Sequence, residues 1–250
     1  MLEPIGRKSL SDSVYEQILA RIVEGGIEPG EALPSERALC EMLQVNRGAL
    51  REALKRLEQA GLVRVQHGGQ TRVLDYRLTA GMELLPTLLM RKDQGIDLEV
   101  ARAVMEMRAC LAPDIARLCA ARADDELIGR LEALLEAMED AGDDLERLQD
   151  LNLAFWEHMV EGSGNIAYRF AFNALRDTYI EIKEIMRQVL VEELTDLLSW
   201  KAITRAVRRH DARAAERTAR ALIDKGTEGV LGVIDALDEM DGDKAKENAK

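Results

Sequence analysis

The chain has 250 residues, 47% apolar and 32% charged, with nine aromatic side chains, five prolines and eighteen glycines. That composition excludes wholesale disorder and low-complexity or collagen-like chains, and its Leu, Ala, Glu and Arg content with few β-branched residues favours helices. The net charge of −12 is unevenly spread: residues 1–76 sum to −1 and the remaining 174 residues to −11, which separates a near-neutral N-terminal module from a larger acidic domain.

No run of about 18 uncharged apolar residues occurs, so no membrane-spanning helix is expected. The start, MLEPIGRKSLSDSVYEQ, has no apolar stretch of signal-peptide type, and a cytoplasmic location is expected. The cysteines, Cys40, Cys110 and Cys119, are odd in number and form no C-x-x-C pair, which predicts neither a disulfide framework nor a zinc module.

In chain order, Val14, Ile18 and Ile22 recur at helical spacing, and Gly25-Gly26 stops that helix. After a turn in IEPGEALP, Ser35 is the expected N-cap of a short helix, SERALCEML. Gln44-Val45 turns the chain, and Asn46 caps a third helix running to Gln59 and closed by Gly61. On that helix Leu50, Leu54 and Leu57 form a buried stripe, while Arg47, Arg51 and Lys55 at i, i+4 and i+8 form an exposed basic ridge. LVRV and TRVL around HGGQ then predict a β-hairpin. The order helix, helix, turn, helix, hairpin makes a winged helix-turn-helix over residues 1–76. In that motif the third helix enters the major groove of double-stranded DNA.

Here the residues carry a resemblance. The segment from IEPG to TRV, with its PG…LPSER…L, V-N-R…LREAL and GL marks, resembles the DNA-binding domain of the GntR family of bacterial regulators. The wing sequence QHG, followed by Thr71-Arg72-Val73, is similar to the fatty-acid-responsive FadR group within it. The resemblance implies DNA contacts by Arg37, Asn46, Arg47, Arg51, Thr71 and Arg72, and a reach into the minor groove by His67 and Gly68. Gly48 stands where a threonine is usual, and Gly69 where lysine is frequent.

From a linker around Asp75-Tyr76-Arg77 the chain reads as six or seven successive helices forming an all-α antiparallel bundle over residues 77–240, with a polar tail at 241–250 and no strand after residue 76. Breaks are expected at Asp93-Gln94-Gly95, Ala123-Asp124-Asp125, Ala141-Gly142, Gly162 to Asn165 and His210-Asp211. DLNLAFWEH…SGN and WKAITRAVRRHDARAA resemble segments of the FadR-type effector domain. Many members hold a divalent metal there with one Asp and three His, which anchors a carboxylate ligand. The matching positions here are Asn152, Trp156, Trp200 and Leu222, and His158 and His210 are isolated, so no metal and no cofactor are expected.

The apolar substitutions leave two readings open: a filled core, or a cavity for an acyl chain as in the fatty-acid regulators. The Tyr168…Asn173…Tyr179 spacing and Arg108 match ligand-site residues of that group, and Arg108 reads equally as half of an internal ion pair. The expected effector residues are Arg108, Trp156, Tyr168, Tyr179 and Trp200. The expected effector is a long-chain acyl-CoA or fatty acid, with a metabolite carboxylate as the alternative. No G-x-S-x-G, G-x-x-x-x-G-K-[ST] or H-E-x-x-H occurs, which argues against an enzyme. The resemblance implies a homodimer on a two-fold operator.

Overall fold

The computed structural model describes residues 9–65, 70–91 and 95–248, and the chain divides into two compact units after Gly95. The first unit opens with α1 (Leu10–Val23). Ser9 accepts from the Asp12 amide, and the Asp12 carboxylate accepts from the Ser9 amide, each at 3.1 Å, so two otherwise orphan donors are satisfied reciprocally. Next come α2 (Glu36–Leu43), capped by Ser35, and α3 (Arg47–Gln59), capped by the Asn46 carbonyl on the Ala49 amide at 2.9 Å. Gln44 turns the chain between them in the left-handed region, at φ 53°.

Val14, Ile18, Leu39, Leu50, Leu54 and Leu57 close into one core. Arg56 of α3 pins that core from the side: it donates to Asp12 at 2.6 Å and lies 4.4 Å over the Tyr15 ring. The hairpin is β1 (Val63–Arg64) against β2 (Arg72–Val73), antiparallel, with Val63 opposite Val73. The IEPGEAL segment, expected only as a turn, also pairs with β2: the Leu33 amide donates to Thr71, and Val73 donates to Glu31. A third backbone thereby covers one edge of the hairpin.

The boundary expected at 76/77 falls later. The short helices α4 (Tyr76–Thr79) and α5 (Leu85–Leu89) follow the hairpin, and Leu84 between them is buried with the N-terminal core while Tyr76, Ala80 and Leu88 pack against it. The Thr79 hydroxyl donates to the Gly61 carbonyl at 2.6 Å, which ties this segment to the end of α3. Gly61 is required twice over, by its φ of +72° and because a Cβ there would meet the Thr79 carbonyl. The expectation of no strand after residue 76 is also corrected. The strands β3 (Met90–Arg91) and β4 (Gly95–Ile96) pair, each too short to show a two-residue alternation in sequence.

The second unit is helical: α6 (Leu98–Arg122), α7 (Asp125–Ala141), α8 (Leu145–Ser163), α9 (Ile166–Glu181), α10 (Lys183–Val189), α11 (Val191–Leu194), α12 (Leu197–Arg208) and α13 (Ala212–Asn248). Side chains of Asp97, Asp124, Asp144, Asn165 and Asp196 cap five of these, so the acidic residues at the breaks set where helices begin. The count exceeds the six or seven expected because the run from Ala167 to Leu190 bends at Ile182, which both ends α9 and precedes α10, and α11 is a separate turn. The backbone of α13 stays helical past residue 240, where a polar tail was expected, in line with the helix-favouring Lys, Ala and Glu there.

Phe155 and Trp156 of α8 and Trp200 of α12 meet edge to face, with Phe155 5.0 Å and Trp156 6.3 Å from the Trp200 ring. Among the described residues no helix is long and apolar enough to cross a membrane.

Candidate functional site

Two places bear on function, one in each unit. On α3, Arg47, Arg51 and Lys55 are exposed on the face opposite the buried Leu50, Leu54 and Leu57. Arg47 follows the cap and makes no hydrogen bond or ion pair with a described residue. Arg51 donates to Glu36 at 3.0 Å and Arg37 to Glu41 at 3.0 Å, and both arginine side chains are at least two-thirds exposed. Exposed pairs of this kind are worth at most about 1 kcal/mol, so both guanidinium groups can exchange a carboxylate for a phosphate.

Asn46 spends its carbonyl on the cap and keeps its amide nitrogen free to donate. Arg72 is exposed but donates to the Gly30 carbonyl at 2.8 Å, which holds it at the root of the hairpin. Thr71 is half-buried, its carbonyl taken by Leu33. His67 and Gly68 lie outside the described residues. Arg47, Arg51 and Lys55 thus lie exposed along one face of α3, with Asn46 at its cap and Arg37 exposed on α2.

In the second unit a cavity of about 90 Å³, measured to the centre of a water, is lined by residues of α6, α8, α9 and α13, with Leu190. A single water needs roughly 10–15 Å³ on that measure, so the interior is not solidly filled. The walls include Leu111, Ile115, Leu153, Phe172, Leu175 and Ile223. Three of the five expected effector residues, Arg108, Trp156 and Tyr179, line it.

The other two do not. Trp200 is fully buried in the core, its indole donating to the Glu193 carbonyl at 3.2 Å. Tyr168 sits half-buried elsewhere on α9 and donates to the Asp114 carboxylate at 2.8 Å, a bond that holds its phenol above its ordinary pKa. Arg108 forms the internal ion pair, with Glu193, whose side chain is fully buried, and it also lines the cavity.

Asn152 and Arg176 also line the cavity, and the sequence reading named neither as an effector residue. Arg176 is committed to Glu157 and Asp177, each at 3.0 Å. Tyr179 accepts from buried Gln149 at 2.5 Å, and Gln149 also donates to the Lys183 carbonyl at 2.8 Å, across the α9–α10 bend. Burial pushes the Tyr179 phenol up to about 12, so it keeps its proton and remains a donor. The Cys119 thiol is likewise pushed up to about 12 by burial and is inert as a nucleophile at neutral pH.

The metal implied for many FadR-type domains does not fit these residues. Trp200 and Leu222 are wholly buried, and the unpartnered atoms at the other two matched positions are the Asn152 amide nitrogen and the Trp156 indole nitrogen. The two tryptophans and the leucine have no lone pair to give a cation, and the side-chain oxygen of Asn152 alone cannot hold one. His158 pairs loosely with Glu161 at 3.4 Å, and His210 contacts the Ala120 carbonyl at 3.0 Å, so neither faces the cavity.

Comparison with known proteins identifies the family of each unit. The profile described as bacterial regulatory proteins, gntR family, matches residues 10–73, and the FCD domain profile matches residues 103–225. The chain is 36% identical to the HTH-type transcriptional regulator Mce2R of Mycobacterium tuberculosis over 233 residues, covering 93% of this chain and 96% of that protein. It is 28% identical to the fatty acid metabolism regulator protein of Klebsiella pneumoniae over 167 residues, 67% of this chain and 68% of the other. A solved structure of Lar, which controls expression of the Listeria monocytogenes agr system, aligns with a TM-score of 0.55 at 18% identity, over 91% of this chain and 99% of that one, a likeness that concerns the fold. These relatives are regulators and not enzymes. The chain belongs to the GntR family of DNA-binding transcription regulators, with an FCD effector domain behind its winged helix.

Proposed function

We propose that this regulator leaves its operator when a long-chain fatty acid or its acyl-CoA enters the cavity between α6, α8, α9 and α13. The observation that carries the reading is the cavity itself, an apolar-walled space with one incompletely paired arginine, Arg108, in its lining. The 28% identity to proteins named as fatty acid metabolism regulators supports it.

The working form is a homodimer whose two α3 helices read half-sites one helical turn apart, and its place is the bacterial cytoplasm, with the DNA. Ligand shifts the population toward a form whose two recognition helices no longer match that spacing. Arg37, Arg47 and Arg51 make the main DNA contacts, with Asn46, Thr71, Arg72 and the wing residues His67 and Gly68 beside them.

Native mass spectrometry of the purified full chain tests the reading, because a lipid buried in the cavity survives purification. Copurified fatty acid or acyl-CoA is expected, with affinity in a saturated series rising by about 0.8 kcal/mol per added CH₂ until the cavity is full. Affinity that is flat with chain length, together with protein free of lipid, would overturn it.

A further inference from the structure

Buried polar groups are almost always paired, so a cluster of unpaired ones calls for an explanation. Among the described residues, five side-chain atoms are buried without a partner: Arg108 Nη1, Arg130 Nε, Asn152 Nδ2, Trp156 Nε1 and Glu193 Oε2. Three belong to residues that line the same cavity, Arg108, Asn152 and Trp156, and all three are N–H donors. Trp156 is only 6% exposed, so water does not routinely satisfy its indole. A fourth donor joins them: the Tyr179 hydroxyl accepts from Gln149, and its own proton has no described acceptor. The remaining walls are apolar, apart from Arg176, which is already paired with two carboxylates.

Unpaired donors therefore outnumber acceptors among the lining residues, whose one uncommitted side-chain acceptor is the Asn152 amide oxygen. We infer that it takes the carboxylate of an apolar monocarboxylic acid directly, without a metal, with the acid head seated on Arg108, Asn152, Trp156 and Tyr179. This rests on the reading above that the cavity is the effector site, and it selects the free acid over the thioester.

Two features support that choice. The guanidinium of Arg108 is held by Glu193 through Nη2, which leaves Nη1 for a second carboxylate at its other end, with the charge assistance a neutral carbonyl lacks. Glu193 is not part of the cavity wall, so it acts as a positioning residue behind the arginine. All three unpaired donor atoms are also out of reach of solvent, so the group that pairs with them is withdrawn from water. A coenzyme A thioester cannot put its head there, because the nucleotide that follows has to stay outside. The acid enters head first, and its chain lies along Leu111, Ile115, Leu153, Phe172 and Leu175.

The head also reaches the α9–α10 bend. Tyr179 is bonded to Gln149, which is bonded to the Lys183 carbonyl, while Arg187 donates to the Gln149 carbonyl oxygen at 3.3 Å. A carboxylate that draws the Tyr179 proton bears on this chain of bonds at the bend.

The test is calorimetric titration of the full-length protein, in buffer containing EDTA, with decanoate, decanol and decanoyl-CoA. Decanoate should bind with decanol weaker by on the order of tenfold to a hundredfold, the worth of one or two charge-assisted bonds. Decanoyl-CoA should bind no better than decanol. Because loss of Arg108 leaves Glu193 buried without its partner, the variants are Trp156→Phe and Asn152→Leu, which keep the walls apolar. Each should weaken decanoate about tenfold and leave decanol unchanged. Equal binding of acid and alcohol would overturn the carboxylate assignment and leave the apolar effector site standing. Preference for the thioester would overturn the head-first orientation, and decanoate binding that vanishes in EDTA would overturn metal-free capture. If no probe binds, the effector-site reading itself falls.

Discussion

The two tryptophans of this chain are close in space and differ in role, and Trp200→Phe separates them. Trp200 is fully buried, packs edge-on against Phe155 and Trp156, and donates to the Glu193 carbonyl at 3.2 Å. Phenylalanine keeps an aromatic ring and loses that hydrogen bond, worth about 1 kcal/mol. The Glu193 carbonyl retains the Asp196 amide at 3.3 Å, so it is not orphaned. The volume lost from a close-packed site adds about 1–2 kcal/mol. The sum, about 2–3 kcal/mol, lowers the melting temperature of a domain this size by roughly 4–12 °C. Because Trp200 does not line the cavity, ligand affinity of the folded variant should stay within a factor of about two once the thermal shift is allowed for. Circular-dichroism melts together with decanoate titration at 20 °C measure both. An unchanged melting temperature with a lost ligand response would put Trp200 at the ligand and refute this account of the core.

Replacing Arg47 with alanine should cost about 1–3 kcal/mol on the operator and flatten discrimination at one base pair, read by quantitative footprinting. Gly61→Ala should destabilise by about 2–4 kcal/mol, from a left-handed φ plus a collision with the Thr79 carbonyl, whereas Gly25→Ala, at the same φ but in open space, should cost only about 1–2 kcal/mol; paired urea melts compare them. The Asp12 carboxyl is held below its ordinary 3.8 by the Ser9 hydroxyl, then by Arg56, so its contribution is present above that value and is lost as pH falls through the depressed one. Hydrogen exchange of the α1 amides should accordingly show a gap between wild type and Asp12→Asn that is full at pH 6 and closes in strong acid. A gap that persists there would assign the effect to something other than the carboxylate charge.

Much of the first unit was legible because its signals are local. Ser35 and Asn46 are caps, the i, i+4 spacing of Arg47, Arg51 and Lys55 fixes one face, and Gly61 ends α3; each acts within a few residues. The edge pairing of Glu31 and Leu33 with β2 was not legible, because it joins segments forty residues apart without a two-residue pattern. Nor was the allegiance of Leu84, whose apolar side chain gives no sign of which core it enters.

In the second unit Asp124 and Asn165 fall within breaks the sequence announced, but the bend at Ile182 and the break capped by Asp196 lie where none was expected. Position alone told Trp156 from Trp200 no better than it told Tyr179 from Tyr168. Their faces differ by packing between helices, which puts one of each pair on the cavity and the other on a core carbonyl or on Asp114. Asn152 was noted for the ligand it fails to be, and its donor role emerges only with its neighbours in place.

The central claim is that an acid in the cavity of the second unit governs DNA binding by the first. It is tested most directly by selecting a binding sequence for the full-length protein from random duplexes and following release of that duplex during titration with saturated acids from octanoate to hexadecanoate. The account predicts a two-fold symmetric sequence whose complex dissociates with the acid, with potency rising along the series, and with Trp156→Phe blunting release while duplex affinity without acid stays intact. A complex that survives saturating acid already shown by calorimetry to occupy the cavity would contradict it.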